Sequence, residues 1–212
     1  MLNGSAKQIE WWFFVKRLKD NSYDIARLII NQIGIAIFAI VLYVAMATVG
    51  ENSRELYDML KVASSVASTL FYWALIYTVM WEIGAKDRIK IDSGKAEDFK
   101  SKGFLIALLA NLPNIILSSL AIIFKAVYMI FGIEAFNTAM LLVSTFMRFI
   151  ASMYIGIISG ICNPIEPSNL EDLAQSIGYL IMPLLTVLVC HLAYTLGKNN
   201  FKFFATKNTR QS

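Results

Sequence analysis

The strongest constraint on this chain is a series of long apolar blocks separated by polar segments. A helix needs about 20 apolar residues to cross a hydrocarbon core of ~30 Å. Blocks at least that long occur near residues 28–49, 62–83, 103–124, 135–161 and 176–196. Because lipid offers no hydrogen bonds to the backbone, a block of this length satisfies its own polar groups as a helix. The sequence predicts an all-α integral membrane protein, with residues 1–212 forming one polytopic domain.

Composition agrees with this class and argues against others. Hydrophobic residues make up 57% of the chain and charged residues only 16%, against about 25% in a typical soluble domain. The net charge of +4 lies in clusters that adjoin the apolar blocks, which is typical of topology signals rather than nucleic-acid binding. One histidine and the separated Cys162 and Cys190 form no metal-binding pattern. We expect the lipid bilayer as a partner, and no nucleic acid, metal or cofactor.

The segment before the first block predicts a short amphipathic helix over residues 6–20. Four consecutive aromatic residues, 11–14, are followed there by a basic cluster. This combination suits a helix that lies among lipid headgroups, although an aromatic and basic flank to the first span is an alternative. The first block is too long and too late for a cleavable signal, so we expect it to remain as a signal anchor.

Basic residues predict the orientation in the plasma membrane. Segment 84–102 is the one substantial hydrophilic loop, and its six basic residues place it in the cytoplasm. Basic residues before the first block put the N-terminus on the same side, and the basic tail 197–212 favours a cytoplasmic C-terminus. Five simple spans would leave that tail outside, so we expect an even number of crossings.

The number of crossings, four to six, depends on block 135–161. A re-entrant or broken hairpin near Arg148 gives four crossings, and a split that recruits residues 126–134 gives six. Residues 145–149 contain no turn signal that favours either alternative. Five spans with an external tail therefore remain open as well.

Polar side chains inside the apolar blocks are the best candidates for a binding site, because hydrocarbon offers them no partners. Helical spacing puts several of them on shared faces. The candidate ligand-binding residues are Asn111, Asn114 and Ser118 in the third block, Arg148 and Ser152 in the fourth, and His191 in the last.

Arg148 has three interpretations, since a mid-bilayer arginine costs at least about 2.5 kcal/mol. It binds an anionic ligand in a cavity, it marks a turn at the membrane surface, or it pairs structurally, for example with Glu134. For His191, a hydrogen-bonded structural role is the default. Small residues at offsets of four, Ala63 with Ala67 and Ser152 with Gly156 and Gly160, predict close helix packing.

These features favour a non-enzymatic transport-associated subunit or permease-like component. It would bind a polar or anionic solute, a partner membrane subunit or a second copy of the chain. The alternative is a membrane scaffold or assembly factor whose polar faces only pack helices. An enzyme acting on lipid-linked substrates, with His191 as acid–base, is less favoured because the chain carries no HExxH, P-loop or GxSxG motif. No motif assigns the chain to a family.

Overall fold

The computed structural model describes residues 21–50, 53–95, 97–162 and 168–199, together with Lys19. This part of the chain is helical throughout, which confirms the all-α prediction for it. The helices are α1 Ser22–Gly50, α2 Arg54–Asp92, α3 Lys102–Phe131, α4 Glu134–Ile150, α5 Ile155–Cys162 and α6 Ser168–Lys198. A 3-10 turn, Ser152–Tyr154, joins α4 to α5. The predicted helix 6–20, apart from Lys19, and most of the tail 197–212 lie outside the described residues.

Four of these helices, α1, α2, α3 and α6, are long and apolar enough to cross a membrane. Ion pairs between them show that successive long helices run antiparallel. Arg27 near the start of α1 pairs with Glu82 in the last third of α2, and Lys125 near the end of α3 pairs with Asp172 at the start of α6. The start of α1 and the end of α6 therefore lie at one end of the bundle, which we call the terminal end. The opposite end is the hairpin end.

Block 135–161 is broken rather than straight. The axes of α4 and of Ser152–Cys162 differ by 90°, with the bend at Ala151. Both arms contact the hairpin end: the ring of Phe136 lies 6.0 Å from that of Phe124, and Gly156 backs onto the carbonyl of Lys61. The pair therefore enters and leaves the bundle at the same end. We call this bent pair the hairpin. The 90° bend is compatible with the re-entrant alternative and with a broken fifth span, and it rules out a continuous straight helix over the block.

Side chains from neighbouring helices satisfy the backbone where the hairpin breaks. Ser65 on α2 donates to the Met153 carbonyl at 2.6 Å and accepts from the Ile157 N–H at 3.1 Å. Thr69, one turn further along α2, also donates to the Met153 carbonyl. Ser152 donates to the carbonyl of Ala36, in the middle of α1, at 2.7 Å. An unpaired backbone group at this depth would be costly, so these hydroxyls are what permit the break.

Helix α2 is longer than the sequence predicts. Its 39 residues span roughly 58 Å at 1.5 Å per residue, well beyond a hydrocarbon core. The prediction of a loop over 84–102 is wrong for residues 84–92, which continue the helix. That stretch carries an i,i+4 pair between Arg88 and Asp92 and buries Gly84 and Asp87. The helix ends at Ser93, followed by Gly94 with φ at 70°.

Glycines mark the tightest helix contacts. A Cβ on Gly84 would lie 2.2 Å from the carbonyl oxygen of Tyr194, and one on Gly197 would lie 2.1 Å from that of Trp81. Helices α2 and α6 therefore touch backbone to backbone near the terminal end. The predicted packing pair Ala63 and Ala67 is instead exposed, because the buried face of α2 is the one that carries Ser65, Ser68 and Thr69.

We predict that topology reporters will place the tail and the α2–α3 turn on one side of the membrane. Four crossings and a hairpin would put residues 95 and 199 together, and residues 53 and 162 on the opposite side. Fusions or accessible single cysteines at these positions measure this directly. A tail found on the side opposite to residue 95 would contradict the arrangement.

A second prediction concerns the hairpin contact at Gly156. A Cβ there would lie 2.1 Å from the Lys61 carbonyl oxygen, so Gly156→Ala should lower the free energy of unfolding by about 1–3 kcal/mol. Gly34→Ala is the matched control, because no atom lies within 4 Å of its Cβ position. It should raise the free energy of unfolding by about 0.5–1 kcal/mol. Unfolding in detergent measures both, and equal effects would argue against the contact.

Candidate functional site

The polar stripe on α3 lies in the interface with α6 rather than in an open site. Asn111 donates to the carbonyl of Ala107 on its own helix at 2.9 Å, and Ser118 donates to the carbonyl of Asn114. The side chains of Asn111, Asn114 and Ser118 are buried, and none lines the cavities described below. The buried Oδ1 of Asn114 has no hydrogen-bond partner within the described part of the chain.

Ser118 has a further structural role that follows from Pro183. Proline has no N–H, so the carbonyl four residues earlier, that of Tyr179, loses its helical donor. The Ser118 hydroxyl lies 3.4 Å from this carbonyl oxygen. The polar face of α3 thus meets a break in the hydrogen bonding of α6. Ser152 is likewise fully buried and far from solvent, and its hydroxyl donates to the carbonyl of Ala36.

His191 lies toward the terminal end, separate from Arg148. Its ring stands edge-on to Phe104 with the centroids 6.2 Å apart. Its buried Nδ1 has no hydrogen-bond partner among the described residues. Nearby, Tyr194 donates to Asp87 at 2.9 Å, and Asp87 also pairs with Lys102. The structure therefore does not bring His191 together with the other predicted site residues.

Arg148 is the one predicted ligand-binding residue that lines a cavity. At the hairpin end, a cavity of about 270 Å³ lies between the hairpin, the start of α6 and the start of α2. A smaller one of about 50 Å³ adjoins it and shares Arg148, Asp172, Gln175 and Tyr179. The larger cavity is lined by Lys61, Arg148, Ile155, Ile158, Ser159, Glu171, Asp172, Gln175 and Tyr179.

A chain of hydrogen bonds on α6 orients the Arg148 guanidinium. The Gln175 amide nitrogen donates to Glu171 at 2.8 Å, which turns its carbonyl oxygen toward Arg148. One terminal nitrogen of Arg148 donates to that oxygen at 2.7 Å. A neutral amide holds the guanidinium in place without cancelling its charge. Within the described residues Arg148 forms no ion pair, so it faces the cavity as a cation.

The charged side chains around the cavity differ in whether they form ion pairs. Asp172 is paired at 2.8 Å with Lys125, which is only 1% exposed and also lies over the ring of Tyr128. Lys61, on the opposite wall from α6, has no ion-pair partner in the described part of the chain. The cavity lining therefore holds two basic and two acidic side chains, and the Asp58 carboxylate is near enough to Lys61 to attract it. Neither Lys61 nor Arg148 forms an ion pair within the described residues.

The cations of this arrangement are suited to holding an anion. Guanidinium and ammonium groups that point into one cavity bind phosphate, sulfate or carboxylate oxygens. No group of three or more His, Cys, Asp or Glu side chains that could hold a metal ion occurs among the described residues. The chain matches no protein-family model, no curated protein and no solved structure.

Sequence reasoning missed the partners of Arg148. Lys61 and Gln175 each stand one residue outside an apolar block, where polar residues are ordinary flanks. Their proximity to Arg148 depends on the hairpin, which brings Arg148 to the same end of the bundle, and the sequence alone does not show it. A search for polar residues at block edges, rather than block centres, would have found them.

We predict that Lys125→Met will lower the free energy of unfolding by about 1–3 kcal/mol. The loss should fall below the roughly 3–5 kcal/mol of a fully buried pair, because the Asp172 side chain is 33% exposed. The double variant Lys125→Met/Asp172→Leu should recover part of it, since it removes the unpaired carboxylate. Arg88→Met breaks an exposed pair and should cost less than about 1 kcal/mol. Additive losses in the double variant would contradict the pairing.

Proposed function

We propose that this protein is a multi-pass membrane component, transport-associated and non-enzymatic, that binds an anionic group in the Arg148–Lys61 cavity. The observation that carries the proposal is the pair of cations facing one cavity of about 270 Å³ without carboxylate partners in the described residues. Arg148 is exposed and Lys61 is partly exposed, so an anion that enters the cavity can reach both charges.

The proposed membrane arrangement has four crossings, a re-entrant hairpin and both tails in the cytoplasm. Large apolar side chains are exposed along all four long helices, among them Ile37 on α1, Leu70 on α2, Ile123 on α3 and Leu188 on α6. Basic residues concentrate in segment 84–102 at the terminal end, which supports a cytoplasmic position for that end. The cavity then opens at the extracytoplasmic side.

The broken helix supports a transport-associated role over a purely structural one. Non-helical backbone at membrane depth is tolerated where protein buries it or where it borders a cavity, and discontinuous helices are common in transporter binding sites. Here the bend at Ala151 is buried, and the two arms that leave it border the cavity on either side of Arg148.

A second candidate function, a membrane scaffold, is favoured by the α3–α6 interface. Asn111 and Ser118 in this interface donate to backbone carbonyls of α3 or α6, and neither cavity at the hairpin end reaches them. A scaffold accounts for these packed hydrogen bonds. It does not explain why Arg148 is held by Gln175 while the acid of Asp172 is paired elsewhere.

The decisive test is anion binding by the purified full chain. The probes are inorganic phosphate, sulfate and an anionic phospholipid, each scored by the shift in unfolding temperature. We expect at least one probe to stabilise the wild type, and Arg148→Gln or Lys61→Gln to weaken its binding roughly tenfold or more, the loss of one charged hydrogen bond. Arg88→Gln, a matched change at the terminal end, should leave binding intact.

The proposal fails if no probe produces a stabilisation that depends on Arg148 or Lys61. Unfolding temperatures without added anion show whether each variant is folded. Both residues are at least partly exposed, so their variants should fold.

A further inference from the structure

The cavity lies at a defined depth relative to the apolar blocks. Lys61, Lys125 and Gln175 each stand one residue outside an apolar block, those of 62–83, 103–124 and 176–196. These positions on three helices place the cavity at the edge of the apolar zone. In a bilayer the headgroup layer begins at this edge, just outside the hydrocarbon core of ~30 Å. The cations of the cavity therefore stand at the depth of lipid phosphates.

The cavity also has an apolar side. Ile155 and Ile158 line it together with the charged residues. A small soluble anion would leave these apolar side chains uncovered. A lipid brings a phosphate and acyl chains together, and it would cover both.

The free donors of Arg148 fit a phosphate. Gln175 occupies one terminal nitrogen, and the remaining N–H groups have no partner in the described part of the chain. A guanidinium presents its donors in a planar fork that binds two phosphate oxygens at once, whereas the Lys61 ammonium supplies a second, non-directional charge. Because neither Arg148 nor Lys61 forms an ion pair within the described residues, the two cations favour a headgroup with net negative charge.

We infer that the Arg148–Lys61 cavity binds the phosphate of an anionic glycerophospholipid from the leaflet at the hairpin end. The inference rests on the proposed anion site and names its ligand. Arg148 holds two phosphate oxygens, Lys61 neutralises the remaining charge, and the acyl chains begin along Ile155 and Ile158 on the hairpin. The hairpin then serves as the wall between the headgroup and the bundle.

The test compares three probes on the full chain in mixed micelles: short-chain phosphatidylglycerol, phosphatidylcholine of the same chain length, and inorganic phosphate. Lipid retention by native mass spectrometry and the shift in unfolding temperature report binding. We expect phosphatidylglycerol to bind most tightly, Arg148→Gln and Lys61→Gln to weaken it roughly tenfold or more, and Arg148→Lys to restore part of the loss. Arg88→Gln should bind as the wild type does.

Each outcome bears on one of the two proposals. Inorganic phosphate binding as tightly as phosphatidylglycerol, with the same dependence on Arg148, would overturn the lipid inference and leave the anion site standing. Equal binding of both lipids would also overturn it, since charge would then not matter. Arg148-independent binding of all three probes would remove the anion site itself. If Arg148→Gln fails to fold, Lys61→Gln decides the same questions.

Discussion

Everything distinctive about this bundle depends on the backbone groups exposed where block 135–161 turns through 90°. Ser65 supports this break from both sides, as a donor to Met153 and as an acceptor from Ile157, and Ser152 anchors the turn to α1. A helix interrupted inside an apolar environment loses several kcal/mol unless its freed groups find partners. The hydroxyls therefore stabilise the bend at Ala151.

The same break decides where Arg148 can be. On a straight span it would sit near the middle of the apolar block, without a partner among the described acids. The hairpin instead carries it back to the end of the bundle, beside the first turns of α6, where Gln175 can hold it. Gly156 completes the arrangement, because only a residue without a Cβ lets α5 approach the Lys61 carbonyl and bring the Lys61 side chain to the opposite wall. The cavity thus results from one turn, one amide and one close backbone contact.

The sequence predicted the features that depend on composition and periodicity. Block lengths identified the four long helices. The even number of crossings that the basic residues favour stays a prediction. The sequence did not locate the bend, because Ala151 carries no local turn signal and the groups that stabilise the bend belong to α1 and α2. The loop predicted over 84–102 failed for the same reason: residues 84–92 are polar in composition, but Gly84 and Asp87 are buried against α6 and Lys102. The α3 stripe was correctly placed on one buried face, yet periodicity does not distinguish a packed face from a binding face.

Charge pairing at the hairpin end separates binding from packing more clearly than any single residue does. Lys125 is almost completely buried and has a carboxylate at 2.8 Å, as a structural cation must. Arg148 is exposed to a cavity lined by that same carboxylate, yet its hydrogen bond goes to a neutral amide. An ion pair at this exposed position would add no more than about 1 kcal/mol, so leaving Arg148 without an acid costs the fold little stability. Holding the guanidinium by an amide orients it and keeps its charge available, which is the arrangement that an anion-binding site requires.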